Sequence, residues 1–454
     1  MIVLKFGGTS VADAAAIRRA AAIVQTRRGR APIVVVSALA GATNLLLEIA
    51  DQSARGQLII ALRSVEALRK RHLDEAEALL GTGREANDVM GEMSAMFDEL
   101  ASLAGALSVL GDLTPRSQDA IAAVGEQLSS LLCTAAFCRA GLPAAHVEAR
   151  RVMITDDTFT KAEPDPDAIA EAAQRVVAPV VRNGEIPVLG GFIGSCRSTG
   201  VTTTLGRGGG DYSASLFGAA LQAEAIEIWT DVDGMLTGDP RVVQGTKLIE
   251  RVGFDEASEL ASFGAKVLHP STIAPAVRLG IPVYVLNARH PKSPGTMITF
   301  DAPRRPVTAI AGKSGVSLVK VRSPRMLLTE GFLRTLFEVF ERHKTSVDVV
   351  ATSEVSVSLT VDDASHLDAL IVDLRALGDV AIERNRGIVA VVGAGLSDGG
   401  LSMSRALQAL GDVRVYMLSL SATGINLTIV VEDDQVNPVM RRLHAEFFGG
   451  GNGS

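Results

Sequence analysis

A chain of 454 residues is long enough for two or three domains with substantial cores. Its net charge of −7 gives no electrostatic support for a nucleic-acid or anionic-membrane partner, and its 47% hydrophobic content is that of a globular protein. No uninterrupted apolar run reaches the ~18 residues of a spanning helix, since Ser37, Thr43, Asn44 and Glu48 break the longest candidate, and Lys5 stands where a leader would be apolar. Neither a membrane span nor a secretory signal is expected. Cys133, Cys138 and Cys196 have no metal-site or CxxC spacing and read as reduced thiols of a cytoplasmic protein. Seven histidines form no HxxxH or HExxH pair, so no dedicated metal site is expected.

In chain order, the apolar start Met1-Ile2-Val3-Leu4 runs into Lys5-Phe6-Gly7-Gly8-Thr9-Ser10, and a helical pattern through Ala14, Ile17, Ala21 and Val24 begins at Val11. A strand ending in lysine and two glycines before a helix N-terminus suits an anion such as phosphate. The β-branched run Pro32-Ile33-Val34-Val35-Val36 predicts a strand, and residues 54–140 read as helical up to Gly141. Strands are predicted at Ile186–Leu189, Ala225–Trp229 and Pro282–Leu286, with helices near 167–183, 211–222, 255–264 and 271–279. This alternation predicts a mostly parallel sheet covered by helices on both faces, with ligands at the carboxyl ends of the strands.

Pro303-Arg304-Arg305-Pro306 reads as a linker. Beyond it, 316–385 and 388–447 repeat a strand-helix-strand-strand pattern, the signature of a duplicated small α+β module. The first repeat places a helix at Phe332–His343 and strands at Val347–Val350 and Val355–Leu359. The second places a helix at Leu401–Leu410 and strands at Val413–Met417 and Ile425–Val430. Gly449 to Ser454 reads as a disordered tail.

Two familiar phosphate motifs fail. Gly312-Lys313-Ser314 ends like a P-loop, but Val307 occupies the place of its first glycine, and Gly393-Ala394-Gly395-Leu396-Ser397-Asp398 has aspartate where a dinucleotide fingerprint needs glycine. The richer segment is Thr202-Thr203-Thr204-Leu205-Gly206-Arg207-Gly208-Gly209-Gly210-Asp211-Tyr212-Ser213, ahead of a helix predicted from Ser213. It combines many backbone amides with an arginine able to grip a carboxylate or phosphate bidentately. Trp229-Thr230-Asp231-Val232-Asp233-Gly234 and Thr237-Gly238-Asp239-Pro240-Arg241 suit nucleotide contacts, although Asp233-Gly234 and Asp239-Pro240 are also ordinary turn dipeptides. Lys266 is a second candidate phosphate cation.

These collinear segments, together with Gly190-Gly191-Phe192-Ile193-Gly194 and Phe263 to Pro270, resemble the aspartate kinases of the amino-acid kinase family over essentially the whole chain. The pattern is most similar to the monofunctional, lysine-sensitive type. The resemblance implies transfer of the γ-phosphoryl of MgATP to the side-chain carboxylate of L-aspartate, giving 4-phospho-L-aspartate at the head of lysine, threonine and methionine biosynthesis. It places a catalytic domain at 1–300, an ACT-like module at 316–385, and a second formed by 308–315 with 386–447. A carboxylate with a pKa near ~4 is already ionised, so the chemistry requires charge neutralisation and positioning, and no base.

On the family's pattern, Lys5 neutralises the transferring phosphoryl group and Asp211 organises the cations, with Gly7 and Gly8 donating amides to ATP. Arg207 pairs with the substrate α-carboxylate, Glu126 receives its ammonium, and Ser37 and Thr43 supply hydroxyls. Thr230, Asp231, Arg241 and Lys266 fall on the ATP side, and Mg²⁺ is expected on the ATP phosphates. Met326, Thr329, Gly331, Phe332, Leu333, Ser346, Val347, Asp348, Thr352, Ser353 and Glu354 match the effector site of lysine-type enzymes. A homodimer or homotetramer through the ACT-like modules is expected, with an amino-acid effector and no nucleic-acid or membrane partner. Three departures stand out: Gly210 replaces a serine, Leu236 a tyrosine and Ser213 a threonine. A sister kinase acting on another carboxylate, and a catalytically silent amino-acid sensor, are the alternatives.

Overall fold

The computed structural model describes residues 1–263, 270–327 and 330–449. Among them, 1–234 with 270–300 form one compact unit, and 235–263 with 301–449 form another. The boundary differs from the expected break at 300, because 235–263 belongs with the C-terminal unit.

In the first unit, strands Ala144–His146, Ile186–Gly190, Pro32–Val36, Ile2–Phe6, Ala225–Thr230 and Val283–Asn287 lie side by side in that order, all parallel. Thr296–Ile298 adds an antiparallel neighbour. The central strand Ile2–Phe6 is buried on both faces up to Lys5 near its carboxyl end, as a sheet covered by helices demands. One face carries Ile2, Leu4 and Phe6 into a core built with helices Ala14–Arg27, Ala42–Ala54, Leu58–Leu80, Arg84–Leu110 and Val124–Arg139. On the other face Gly218, in helix Gly209–Ala220, lies so close to Ile226 that an added Cβ would come within 2.7 Å of its side chain. A small three-stranded sheet, Ile154–Thr155, Ile193–Cys196 and Thr202–Thr204, stands apart from the large one.

Two helix starts differ from expectation. A single 3-10 turn, Gly8–Val11, follows the first strand, and the α-helix begins at Ala14, where the Asp13 carboxylate accepts from Ala16 N–H at 2.8 Å. The helix expected from Ser213 begins at Gly209 after Gly208, whose φ of +77° only glycine adopts readily, so Asp211 lies in its first turn. Two helical stretches, Arg84–Leu110 and Pro115–Arg139, are long and apolar enough to cross a membrane by composition. The expectation from uninterrupted runs did not reach them because polar residues punctuate both. The second is 78% buried in its most apolar window, and the first turns Met93, Phe97, Leu100, Ala104 and Leu107 into the core.

The second unit holds a six-stranded antiparallel sheet in the order Val350–Thr352, Ser356–Val361, Ala309–Arg322, Asp379–Val392, Asn426–Glu432 and Met417–Leu420. Its two long strands are shared. Ala309–Lys313 pairs with Ile388–Val392, and beyond an irregular register Leu318–Arg322 pairs with Asp379–Glu383. Helices Phe332–Arg342 and Leu367–Leu374 close one apolar cluster, and Leu401–Leu410 and Val436–Phe448 close another. The strand expected at 347–350 forms at Val350–Thr352 instead. Asp348 N–H and Val349 N–H are taken by the Thr360 carbonyl and hydroxyl, so regular pairing starts only after them. The strand expected at 413–417 forms at Met417–Leu420, because the turn after helix Leu401–Leu410 still holds Val413 N–H on the Leu410 carbonyl.

Candidate active site

At the carboxyl ends of the parallel strands, a cavity of about 370 Å³ is lined by Lys5, Gly8, Ser37, Thr43, Glu126, Arg207 and Asp211, among others. These residues are spread over about two hundred positions of the chain, and the sheet order brings them together. Lys5 Nζ lies 2.6 Å from Asp211 Oδ1, with side chains only 12% and 14% exposed. The cation at the end of the first strand therefore meets a carboxylate from the first turn of helix Gly209–Ala220.

Glu126 opens helix Val124–Arg139 and is 4% exposed. Its Oε1 accepts from Ala38 N–H at 3.1 Å, while Oε2 is buried without a hydrogen-bond partner among the described residues. Burial pushes its carboxyl up to about 7, against the pull of the Ala38 amide and the Lys5 charge. An unsatisfied buried carboxylate oxygen in a cavity is a vacancy for a cationic donor. Arg207 is exposed at the rim, and no carboxylate pairs with it among the described residues. The cavity thus offers a free guanidinium, a carboxylate with an open oxygen, and a lysine, the complement of a zwitterion carrying a further anionic group.

The backbone corrects one expected role. Gly7 N–H donates to the Trp229 carbonyl at 3.0 Å, so it is used within the fold and is not an amide for phosphate. A Cβ on Gly7 would stand at ordinary contact distance, 3.6 Å, from Lys5 Nζ. At Gly8 a Cβ would come within 3.0 Å of the Ala38 carbonyl, so this glycine lets the loops after the first two strands close together. Gly210 is similar, since a Cβ would lie 3.2 Å from both Lys5 Cε and Ser37 Oγ. Ser213 Oγ donates to the Gly209 carbonyl and accepts Phe192 N–H, fixing the helix start against the strand-end loop.

Thr230 ends the strand beside Lys5's and Asp231 follows it, with Thr230 Oγ1 donating to Asp231 Oδ1 at 3.3 Å. Arg241 belongs to the second unit, where Asp239 holds its guanidinium at 2.6 Å. Lys266 and Thr329 lie outside the described residues. In the second unit, Met326, Phe332 and Val347 pack on one apolar cluster, and Gly331 caps helix Phe332–Arg342 at φ +83°. Asp348 stands 3.7 Å from Lys313 and beside Asp362, its carboxyl pushed up to about 7 mainly by burial. Ser353 and Ser356 share a hydroxyl hydrogen bond next to Thr352 and Glu354.

Phe192 was missed as a site residue. It lines the cavity with φ +65°, a left-handed conformation rare for a bulky side chain. The glycines around it in Gly190-Gly191-Phe192-Ile193-Gly194 were the available signal.

A fold of this kind with such a cavity defines a class, and comparison with known proteins names it. Residues 1–287 match the Amino acid kinase family and 389–447 match an ACT domain. The chain belongs to the amino-acid kinase family. It is 37% identical to lysine-sensitive aspartokinase 3 of Escherichia coli (strain K12), covering 99% of both chains. It is 33% identical to the chloroplastic aspartokinase 1 of Arabidopsis thaliana, over 99% of this chain and 80% of that one. The crystal structure of E. coli aspartokinase III in complex with aspartate and ADP (R-state) superposes with a TM-score of 0.86 at 37% identity, covering 99% of this chain and 100% of that one. The same enzyme in complex with lysine and aspartate (T-state) gives 0.82 at 37% identity, over 99% of each chain. Within its family the chain is an aspartokinase, an ATP-dependent kinase that phosphorylates aspartate.

Proposed function

We propose that the cavity at the strand ends is the acceptor site, and that it transfers the γ-phosphoryl of ATP to the side-chain carboxylate of L-aspartate, giving 4-phospho-L-aspartate. The observation that carries this reading is the convergence of Arg207, Glu126 Oε2 and Lys5 on one cavity. Arg207 takes the α-carboxylate, Glu126 the α-ammonium, and Ser37 and Thr43 donate hydroxyls. Lys5, held by Asp211, neutralises charge on the phosphoryl group as it passes between two anions. No base is required, because the attacking carboxylate is already ionised. Thr230, Asp231, Arg241 and Lys266 serve the nucleotide side.

Among the described residues no three His, Cys, Asp or Glu side chains converge as a metal site. With Glu126 committed to the acceptor, Asp211 is the cavity carboxylate that fits an ion brought by ATP, which a protein cage would not need to hold. Mg²⁺ would then be held by the phosphates, with Asp211 the acid beside them, and would supply charge neutralisation.

The second unit acts as the sensor, with ACT-like modules at 316–385 and at 308–315 with 386–447. Lysine is the effector, at Met326, Thr329, Gly331, Phe332, Leu333, Ser346, Val347, Asp348, Thr352, Ser353 and Glu354. The support is the relative crystallised with lysine. Assembly as a homodimer or homotetramer through these modules, in the cytoplasm, completes the reading. A substrate panel scored by ADP release tests the reaction: aspartate should support turnover and glutamate should not, and phosphorylation of glutamate alone would overturn it.

A further inference from the structure

Asp119 is a buried carboxylate for which the reaction has no use. It is 1% exposed, on helix Pro115–Ala122, and three groups donate to it. Oδ2 accepts Thr160 N–H and Thr204 N–H, both at 2.9 Å, and Oδ1 accepts the Thr204 hydroxyl at 2.6 Å. Burying a carboxylate is costly, and burial raises this carboxyl above its ordinary range, while the three donors oppose the rise and favour the acceptor-only form.

Its partners lead straight to the acceptor cavity. Thr204 ends the strand Thr202–Thr204, two residues before Gly206 and three before Arg207. Thr160 is held at φ +70°, a left-handed conformation that a β-branched residue adopts only under constraint. Gly206, itself at φ +74°, is packed on it: a Cβ there would stand 3.1 Å from the Thr160 carbonyl. One buried charge thus ties down the root of the glycine loop and the strained residue its first glycine leans on.

We infer that Asp119 is a positioning residue for the acceptor pocket: by holding Thr160 left-handed against Gly206 and anchoring Thr204, it fixes where the Arg207 guanidinium stands. The inference rests on the reading that Arg207 grips the acceptor's α-carboxylate. An asparagine at 119 retains an oxygen for the Thr204 hydroxyl but turns an NH₂ group toward two backbone N–H donors. The hold on Thr160 is then lost while the nucleotide-side residues keep their own contacts.

Steady-state kinetics of full-length Asp119→Asn, varying each substrate separately, tests this. The expected result is a rise in aspartate KM of about tenfold or more, with ATP KM changed by less than about twofold. Adding Thr160→Gly should bring the aspartate KM back toward the starting value, because glycine takes this φ without being held. An unchanged aspartate KM, an equal rise in both KM values, or a double variant no better than Asp119→Asn overturns the inference. If Asp119→Asn does not fold, Thr204→Val, which keeps the carboxylate and both amides, replaces it. Its aspartate KM should rise about threefold with ATP KM steady, and no change overturns the inference. Arg207→Met separates the two claims. If it leaves aspartate KM unchanged, the acceptor-site reading fails; if it raises that KM while the Asp119 and Thr204 variants do not, only the present inference fails.

Discussion

At the scale of single residues, the site is a matter of which charges are already paired. Lys5 is engaged by Asp211 at 2.6 Å, whereas Glu126 keeps one buried oxygen open. That opening has a pH consequence. Burial raises the Glu126 carboxyl from 4.5 to about 7, and only the anion can hold a substrate ammonium. As pH falls below about 7, kcat/KM for aspartate should therefore drop, approaching about tenfold per unit, because this parameter reports the free enzyme's pKa. Glu126→Gln should be low and flat over the same range, and a wild-type profile flat from pH 8 to 6 would refute the assignment. The same shift affects stability. Between 4.5 and about 7 the folded chain holds a proton that the unfolded chain has released, so this group makes stability fall as pH rises across that window. Chemical denaturation of wild type and Glu126→Gln should show the difference in slope.

At the scale of elements, the helical insertion after the second strand shapes the cavity as well as the core. From helix Leu58–Leu80, the Arg71 guanidinium donates to the Ala40 carbonyl at 2.8 Å and the Ala12 carbonyl at 3.0 Å. It thereby ties the loop after the second strand to the one after the first. Glu75 on the same helix accepts Ala14 N–H at 2.6 Å, at the start of helix Ala14–Arg27. Arg71→Met should raise aspartate KM several-fold while changing the unfolding midpoint little, and Arg71→Lys should recover only part, since one ammonium cannot fork to both carbonyls. Phe97, fully buried in helix Arg84–Leu110 beside His72, tests the packing. Phe97→Ala should cost about 3–5 kcal/mol in denaturant unfolding, and a loss below about 1 kcal/mol would mean the insertion is not part of the core.

Elements were also where the sequence was most readable. Pro32–Val36 is apolar throughout because the sheet buries both faces, and Ala225–Trp229 is buried likewise, its one charge, Glu227, being paired with Arg27. Boundaries set by single hydrogen bonds were less legible. The Asp13 cap moved the first helix to Ala14, and Gly208 moved another back to Gly209. The candidate site residues were legible through motif spacing and family pattern, yet two facts about them depend on partners distant in sequence. Gly7 N–H is spent on Trp229, 222 residues away, and Phe192 enters the cavity through a backbone angle no composition reveals.

At the scale of the whole molecule, the chain divides so that the segment carrying Arg241 belongs with the C-terminal unit. Within that unit Thr237 and His444 share a buried hydrogen bond of 2.9 Å, joining the segment before Arg241 to helix Val436–Phe448. On the proposed effector site, lysine at millimolar concentration should inhibit turnover, and Asp348→Asn should blunt that inhibition while leaving activity without lysine intact. No response to lysine would remove the regulatory reading and leave the catalytic one standing.

The central claim is that Lys5 neutralises phosphoryl charge beside an acceptor that needs no base. Lys5→Met, assayed for ADP release with saturating aspartate and ATP and for aspartate binding by calorimetry, tests it most directly. Turnover should fall by about 10²–10³-fold or more while aspartate still binds measurably. A Lys5→Met enzyme that turns over at a rate close to wild type would contradict the account.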